Sequence, residues 1–444
     1  MKRHDRLQRA LRLSPLALIC ACAPAWAGYV FEDGGFKGEL NLGVGTAVIA
    51  SDGVNFGLGQ IDARSGQNKG PRADWVETFF KPGATLNYTF DSGLQLLGGA
   101  SVIGTHTYGD GDAAGLTRGG DGNVSLEELY GGVRSGAWTF TAGRQGFVVG
   151  NGFIIADGHL GMYSEGAYWA DPRRAFKDTA ILRYDAGPLS SQLFTVRTDS
   201  HLGDTRMTGV NLDYALAYGK PGLMMLHVDD VDPKINAVAP RDGMNLYDAR
   251  LLGMKVPGIN GLTLEAEYAI ERGSGKGVQY DASAWYARAD YQFSSLPLNP
   301  TLTYRYGVFS GDANLADNTR KSWEPLSKGY MERGAWVIGD ITGNYLLNNS
   351  NERVGMWKLA TQLTPQVGVG GVYYQFALDQ KNYLGQAVTD RDFADESSLY
   401  VDWTPVPSVY ATLSYNWVKP GAAAKQTLGN DTFSAWQVYL SYHY

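Results

Sequence analysis

The last nine residues of this 444-residue chain alternate between two kinds of side chain. The even positions hold large apolar or aromatic residues, namely Trp436, Val438, Leu440, Tyr442 and Tyr444. The odd positions hold more polar ones, namely Gln437, Tyr439, Ser441 and His443. Because successive side chains of a β-strand point to opposite faces, this pattern predicts a strand between two unlike media. A strand of a soluble sandwich can alternate in the same way, so the inference depends on whether the pattern recurs.

Alternating segments do recur along the whole chain, and short turns join many of them as hairpins. A clear pair runs from Trp285 to Phe293 and, after a Pro-containing turn, from Leu302 to Val308. We count about eighteen or nineteen segments, and the even strand number of bacterial single-chain barrels favours 18 over 19, with 16 as the alternative. The alternation is weakest at Leu223 to Val228 and at Trp336 to Ile341.

The connections between these segments alternate in length. Long ones occur at Gly109 to Asn123, Gly311 to Gly334 and Gln380 to Ala394. Outer-membrane barrels have short periplasmic turns and long external loops, and aromatic residues mark their two membrane interfaces. With 27 Tyr and 57 Gly, the chain fits this class. We therefore predict an all-β, transmembrane antiparallel β-barrel; on composition alone, a secreted soluble β-protein is the alternative.

The segment from Phe147 to Asp171 lacks clean alternation and is rich in Gly. In a barrel, such a segment forms either a constriction loop folded into the lumen, or an external loop or an irregular long strand. The sequence leaves both alternatives open.

The first 27 residues have the order of a secretory signal peptide: a basic region, a short apolar stretch and the small residues before Ala27. Removal after Ala27 would leave residues 28–444 as one barrel domain in the outer membrane. Both cysteines, Cys20 and Cys22, lie in the removed part, so disulfides and thiol catalysis are excluded from the rest. Residues 28–444 hold 33 basic and 44 acidic side chains, and this net charge of −11 argues against nucleic acid as a partner.

Strand parity predicts which charged side chains face the lumen, where charge costs less than in lipid. Either these charges only pair with one another across strands, or they form a track for a charged or hydroxyl-rich solute, with inward tyrosines as sugar-stacking surfaces. The predicted inward residues are Arg183, Arg197, Arg250, Arg288, Arg305, Lys358, Asp185, Asp248, Glu265, Glu267, Glu271, Asp290, Asp402, Tyr286, Tyr400, Tyr410 and Tyr439.

The sequence offers little for catalysis, a metal or a cofactor. The five histidines beyond residue 27 form no His-Glu-x-x-His pattern, and there is no Gly-x-Ser-x-Gly motif. A Ser and His pair brought together across strands is the remaining route to an enzyme. Acidic residues at 110–125 resemble the start of a calcium loop without its later ligands, so we expect a plain solvated loop, with calcium binding as the alternative.

Several short pieces of the chain resemble the alginate export family of outer-membrane porins. These pieces are Gly143-Arg144-Gln145, Gly150-Asn151-Gly152, Tyr304 to Asp312, Trp323 to Leu326, Asn349 to Asn351 and Leu363 to Pro365. The resemblance covers most of residues 28–444. It implies a barrel of 18 strands with an Arg-rich constriction, to which Arg144 and Arg305 would belong by motif, and export of an anionic polysaccharide such as alginate.

Three functions from different classes follow: a substrate-selective porin, an outer-membrane enzyme, and a structural barrel that does not conduct. For a porin, the alternative to polysaccharide export is uptake of small sugars, organic acids or aromatic compounds. The expected partners are outer-membrane lipids, lipopolysaccharide and the solute, and the aromatic C-terminal strand resembles the signal read by the barrel-assembly machinery.

Overall fold

A computed structural model describes residues 30–232, 240–327 and 341–444. Its main sheet has 20 strands, two of which, Val30–Asp33 and Thr319–Arg320, are short additions. The other 18 form the barrel. They are β1 Phe36–Asp52, β2 Arg72–Thr89, β3 Gln95–Gly109, β4 Gly122–Ser135, β5 Trp138–Gln145, β6 Phe176–Ala186, β7 Leu189–Arg197, β8 Arg206–Tyr214, β9 Lys220–Asp230, β10 Met244–Lys255, β11 Leu262–Gly275, β12 Val278–Gln292, β13 Thr301–Phe309, β14 Glu352–Thr364, β15 Val367–Leu378, β16 Asp392–Val406, β17 Val409–Pro420 and β18 Phe433–His443.

The barrel closes because β1 pairs antiparallel with β18 from Gly43–His443 to Asp52–Ser434. Every other pair of consecutive strands is also antiparallel, so the backbone groups of the wall are paired as a bilayer requires. Leu42 and Tyr444 exchange two backbone hydrogen bonds of 2.9 and 3.1 Å just beyond the last strand. The predicted antiparallel barrel of 18 strands is therefore confirmed, and the count of 16 is wrong.

The two faces of the wall differ as the alternation predicts. In β18, Trp436 is 54% exposed on the outside, whereas its neighbour Gln437 is 1% exposed on the inside. Outward aromatic side chains pair at the ends of strands next to short turns. With their ring-centroid distances, these pairs are Tyr88–Phe90 at 4.8 Å, Trp138–Tyr184 at 4.6 Å and Tyr291–Phe293 at 4.8 Å. They form the aromatic girdle expected at one membrane interface.

Short turns and long loops lie at opposite ends of the barrel. Turns such as 136–137, 187–188, 365–366 and 407–408 have two residues, whereas loops 53–71, 146–175 and 310–351 leave the other end. Short helical segments occur only in the long loops of the described chain: Val54–Gly57, Tyr163–Glu165, Ser200–Leu202, Ile341–Leu346 and Ala424–Thr427. Within residues 30–232, 240–327 and 341–444, no helix has the length and apolar character needed to cross a membrane.

The two weakest strand predictions have different outcomes. Leu223 to Val228 lies within β9, so that prediction is confirmed. Most of the predicted strand from Trp336 to Ile341 lies outside the described residues, and Ile341 itself begins a helical turn. The predicted signal peptide also lies outside them.

Candidate functional site: the lumen and its inward loops

The connection between β5 and β6, residues 146–175, folds into the lumen and is called the plug loop here. Its aromatic side chains contact inward rings on widely separated strands, so the loop crosses the lumen. The centroid distances are 5.0 Å for Phe147–Phe194 of β7, 5.3 Å for Phe153–Tyr286 of β12 and 5.6 Å for Trp169–Trp75 of β2. Of the two alternatives for residues 147–171, the structure selects the constriction loop.

Inward glutamates of the wall hold the backbone of the plug loop. The carboxylate of Glu77 in β2 accepts the N–H groups of Trp169 and Ala170 at 3.1 and 2.6 Å. In β4, Glu127 accepts the N–H groups of Arg174 and Ala175 at 2.9 and 3.1 Å. These carboxyl oxygens satisfy backbone groups that an irregular loop leaves unpaired.

A second inward segment comes from the connection between β13 and β14. The N–H groups of Ile341 and Thr342 donate to Glu396 of β16, each at 2.9 Å, and Glu324 N–H donates to Glu271 of β11 at 3.2 Å. Ser327 forms a parallel bridge with Ile155 of the plug loop. Glu271, one of the predicted track residues, therefore holds a loop.

Arg250 of β10 lies inside the lumen as predicted, but both terminal nitrogens of its guanidinium are engaged. It donates to Asp248 at 2.6 Å, to Asp213 at 2.8 Å and to Asn211. Gly150 of the plug loop passes directly over it, since a Cβ at that position would lie 2.9 Å from Arg250 Nε. Glycine is required here for this close approach of the loop backbone. Arg250 thus supports the wall and the loop, and is not open to solvent.

A row of inward charges crosses β11, β12, β13 and β14. Register places Glu265 opposite Arg288, and Arg288 opposite Arg305. Arg288 makes a bidentate contact with Asp290 at 2.7 and 2.9 Å, and Asp290 also accepts from Thr303 at 2.5 Å. Arg288 is partly open, whereas Arg305 is only 2% exposed.

Tyr286 and Glu267 join this wall to the plug loop. The Tyr286 hydroxyl donates to Glu267 at 3.3 Å and accepts from the side-chain amide of Asn151. Both Tyr286 and Glu267 are buried. The aromatic ring that we predict as a sugar-stacking surface is therefore covered by Phe153 of the plug loop.

Two predicted lumen arginines are on the wrong face. Arg144 pairs with Leu129, which is 55% exposed on the outer surface, and a register shift next to Gly143 shows that strand alternation is interrupted there. Arg197 alternates with the buried Val196 and approaches the backbone oxygen of Asp204 at 3.2 Å. The inner face of β7 is apolar at Phe194 and Val196, where Phe147 of the plug loop packs, so polarity is a poor guide to the lumen at this end of the strand.

Two cavities of about 690 and 710 Å³ remain on the short-turn side of the plug loop. Arg174, at the end of that loop, lines both of them. The first cavity also contains Arg183 and Lys37, and the second contains Lys81. Arg183 was predicted to face the lumen, but Arg174 was not, because strand parity says nothing about a loop residue. Acidic and aromatic side chains at these cavities include Glu39, Glu128, Asp171, Tyr130, Tyr410 and Tyr439.

The acidic residues of the candidate calcium loop accept hydrogen bonds from the loop itself and from neighbouring segments. Asp112 accepts the hydroxyl of Thr117 at 2.6 Å, and Asp110 accepts the N–H of Asp74 in β2 at 3.1 Å. Asp121 accepts from Arg64 at 3.2 Å and from the N–H of Arg118 at 2.6 Å. Because Asp112 is 0% exposed, this part of the chain is not the plain solvated loop that the sequence predicts, and calcium binding stays a prediction.

A neighbouring ion pair links the loop at residues 53–71 to the loop at residues 110–121. Arg118 donates to both carboxylate oxygens of Asp62 at 2.7 Å, and Lys69 lies 3.2 Å from the same carboxylate. The hydrogen bond from Arg118 holds the pKa of Asp62 well below its usual range, against the opposing effect of burial.

Comparison with known proteins decides the family of this barrel. A model of the family described as alginate export matches residues 169–437, more than half of the chain. The chain belongs to the alginate export family. It is an outer-membrane channel, which confirms the predicted porin class. Comparison with curated protein sequences finds no significant match.

Solved barrels from Pseudomonas aeruginosa share the fold of this alginate export family member at low identity. The outer membrane protein opdK has 13% identity and a TM-score of 0.60, with 94% of this chain and 100% of that one covered. OccK2 (OpdF) in complex with glucuronate has 13% identity and a TM-score of 0.59, covering 91% and 97%. OccD3 (OpdP) has 14% identity and a TM-score of 0.54, covering 94% and 93%.

Proposed function

We propose that this channel passes small carboxylated sugars of the uronate class by passive, selective diffusion. The observation that carries the proposal is Arg174, which lies at the boundary of the two lumen cavities. Its Nε lies 3.5 Å from the buried carboxylate of Asp157, but about half of the side chain is exposed. A solute in either cavity is therefore within reach of this guanidinium. A planar guanidinium matches a carboxylate in geometry and charge.

The surroundings of Arg174 suit a sugar acid. Arg183 and Lys37 add positive charge on one side, and Tyr410 and Tyr439 offer amphipathic rings on the other. Volumes of about 690 and 710 Å³ lie in the range of small-molecule sites. The solved OccK2 barrel in complex with glucuronate, a uronate, supports the same solute class.

Export of a polymeric uronate such as alginate is the second candidate, and the family match favours it. The same basic groups would then contact successive carboxylates of one chain. The two candidates differ in the length of solute that the lumen admits, since a polymer must thread past the inward loops.

Planar-bilayer recording tests both candidates. We expect glucuronate to block the chloride current of the wild type at low millimolar concentration and to permeate, and we expect Arg174→Gln and Arg183→Gln to weaken this block. Arg206→Gln is the matched control, because Arg206 is an exposed strand arginine on the outer face, next to the inward Met207. If glucuronate blocks the wild type and all three variants equally, Arg174 and Arg183 do not form the solute site.

The length of the solute separates the two candidates. Block and permeation by uronate oligomers, without permeation by the monomer, would favour polymer export. Absence of any current would exclude a porin.

We also propose that residues 1–27 are the export signal and that residues 28–444 reach the outer membrane. At the external end of the barrel, the outward residues Lys177, Arg197 and Arg206 lie around Asp204, which supports contact with lipopolysaccharide phosphates. Mass spectrometry of the protein from outer membranes should find Gly28 as its first residue. An N-terminus retaining Met1 would contradict this proposal.

A further inference from the structure

The plug loop meets the connection between β7 and β8, residues 198–205, at a cluster of histidines and carboxylates. His159 and Glu165 belong to the plug loop, and Asp199 and His201 belong to the connection. His159 Nε2 lies 3.0 Å from Glu165 Oε2 and 3.0 Å from Asp199 Oδ2. His201 Nδ1 lies 3.6 Å from Asp199 Oδ2. None of these residues takes part in the cavities around Arg174.

Both carboxylate contacts of His159 converge on a single ring nitrogen. Nε2 carries at most one hydrogen, yet two carboxylate oxygens converge on it at equal distance. The imidazole is only 2% exposed, and its Nδ1 has no hydrogen-bond partner among the described residues. The contacts at Nε2 are therefore what orients this buried ring.

Charge around the cluster is also unbalanced. Arg173 lies 3.3 Å from Glu165 but also 3.1 Å from Glu127, and Lys81 lies 3.9 Å from Glu127. With Asp199, three carboxylates thus face two fixed cations. Burying such an excess of negative charge is costly unless a cation compensates it.

We propose that His159 Nε2, Glu165 Oε2 and Asp199 Oδ2 bind a divalent first-row transition metal ion. An imidazole nitrogen with two carboxylates is a ligand set for zinc, iron or manganese, whereas calcium and magnesium prefer oxygen alone. If the ion lies about 2.1 Å from each ligand atom, each pair of ligand atoms 3.0 Å apart subtends an angle of about 90° at the ion. This angle leaves further coordination positions for water. The Nδ1 of His201 does not fill one of them, because it donates to the backbone oxygen of Leu160 at 2.9 Å.

The ion would link the plug loop to the wall. Two of its ligands come from the loop and one from the β7–β8 connection, next to a backbone hydrogen bond of 2.8 Å from Asp199 N–H to the Gly158 oxygen. The sequence alone does not reveal this set of ligands. The first and the last are 40 positions apart, and no metal-binding motif has that spacing.

Metal titration of the detergent-solubilised, EDTA-treated protein tests the proposal. We expect Co²⁺ to give a visible absorption band that saturates at one equivalent and that Zn²⁺ abolishes by displacement. His159→Gln and Asp199→Asn should weaken binding at least 10-fold. His227→Gln should leave it unchanged, because the His227 side chain is 44% exposed and lies 4.0 Å from the carboxylate of Asp229, outside this cluster.

A wild-type protein that shows no saturable band would overturn the proposal, and so would His159→Gln with the parental affinity. Heat-modifiable gel migration checks that each variant is folded. If His159→Gln does not fold, Glu165→Gln, a ligand change that keeps the histidine, provides the same comparison. Because the titration needs no conductance, its failure and the failure of the proposed solute are distinguishable.

Discussion

The guanidinium of Arg250 faces the lumen but is already paired with other side chains of the barrel wall. Its two terminal nitrogens donate hydrogen bonds to Asp248, Asp213 and Asn211. The plug loop covers it at Gly150. Arg183 is the opposite case, because it is exposed and lies at an open cavity. A charge inside the barrel contributes to selectivity only where water and solute reach it, since buried partners cancel its field.

Arg288 and Arg305 allow a test of this distinction in one row of the wall. Replacing both with Ala should shift the reversal potential in a salt gradient toward cations, because Asp290 and Glu265 remain on the same wall. Arg288→Ala alone should give most of the shift, since Arg305 is only 2% exposed. Arg206→Ala, on the outer face, is the control. A parental reversal potential in the double variant would mean that these arginines only neutralise the acids.

Parity placed most of the candidate residues on the correct face, because lumen charges repeat every second residue in regular strands such as β11 and β12. It failed at Arg144, where a register shift interrupts β5, and at Arg197, where the inner face is apolar. It also missed Arg174 and the cluster at His159. These residues lie in loops whose positions depend on contacts with distant strands, and such contacts leave no periodic signal.

At the scale of elements, the plug loop is held by a few aromatic contacts and by inward glutamates. Trp169 packs against Trp75 and, at 5.9 Å, against Tyr345 of the second inward segment. One side chain thus joins two loops and the wall. The Gly-rich sequence predicts an irregular segment, but the partners Glu77 and Glu127 are identified only by the fold.

Trp169→Ala should loosen the plug loop while the barrel stays folded. Removing a buried Trp costs about 3–5 kcal/mol of packing free energy, and here the loss falls on the docked loop. We expect larger and noisier single-channel currents and faster protease cleavage within 146–175. Trp138→Ala, which changes a Trp on the outer surface with 52% exposure, should leave both unchanged. Identical currents in the two variants would show that Trp169 does not hold the loop.

The ion pair between the first two long loops predicts a pH dependence. The folded pKa of Asp62 is held below its unfolded value by Arg118, so the stabilisation is fully present above the ordinary carboxyl pKa. It is lost only as the pH falls through the lowered folded pKa. Carbon-detected NMR of the Asp62 carboxyl should show it still ionised at about pH 3.5, below the ordinary Asp pKa.

Arg118→Gln should return the titration of Asp62 toward the ordinary range. Arg72→Gln is the control, because Arg72 pairs at 3.3 Å with the exposed Asp52 instead. If the Asp62 carboxyl titrates in the ordinary range in the wild type, the ion pair with Arg118 does not hold the two loops together.

At the scale of the whole molecule, the barrel is a closed sheet whose first and last strands complete one another. Without the pairing of β1 with β18, both strands would present unpaired backbone groups to lipid, at several kcal/mol for each group. This constraint explains why the alternation alone was enough to predict the architecture. Closure also makes assembly depend on the last strand.

We expect Tyr444→Ser to lower the amount of folded protein in the outer membrane. Tyr444 is the terminal aromatic residue, and its backbone is bonded to Leu42 beyond the end of β18. If the assembly machinery reads the C-terminal strand from Trp436 to Tyr444, loss of this ring should delay insertion and increase periplasmic degradation. Tyr439→Ser is the matched control, since it removes a ring from the inner face of the same strand. Quantifying the heat-modifiable band in outer-membrane fractions measures the effect, and equal amounts of both variants and the wild type would rule out a role for Tyr444 in assembly.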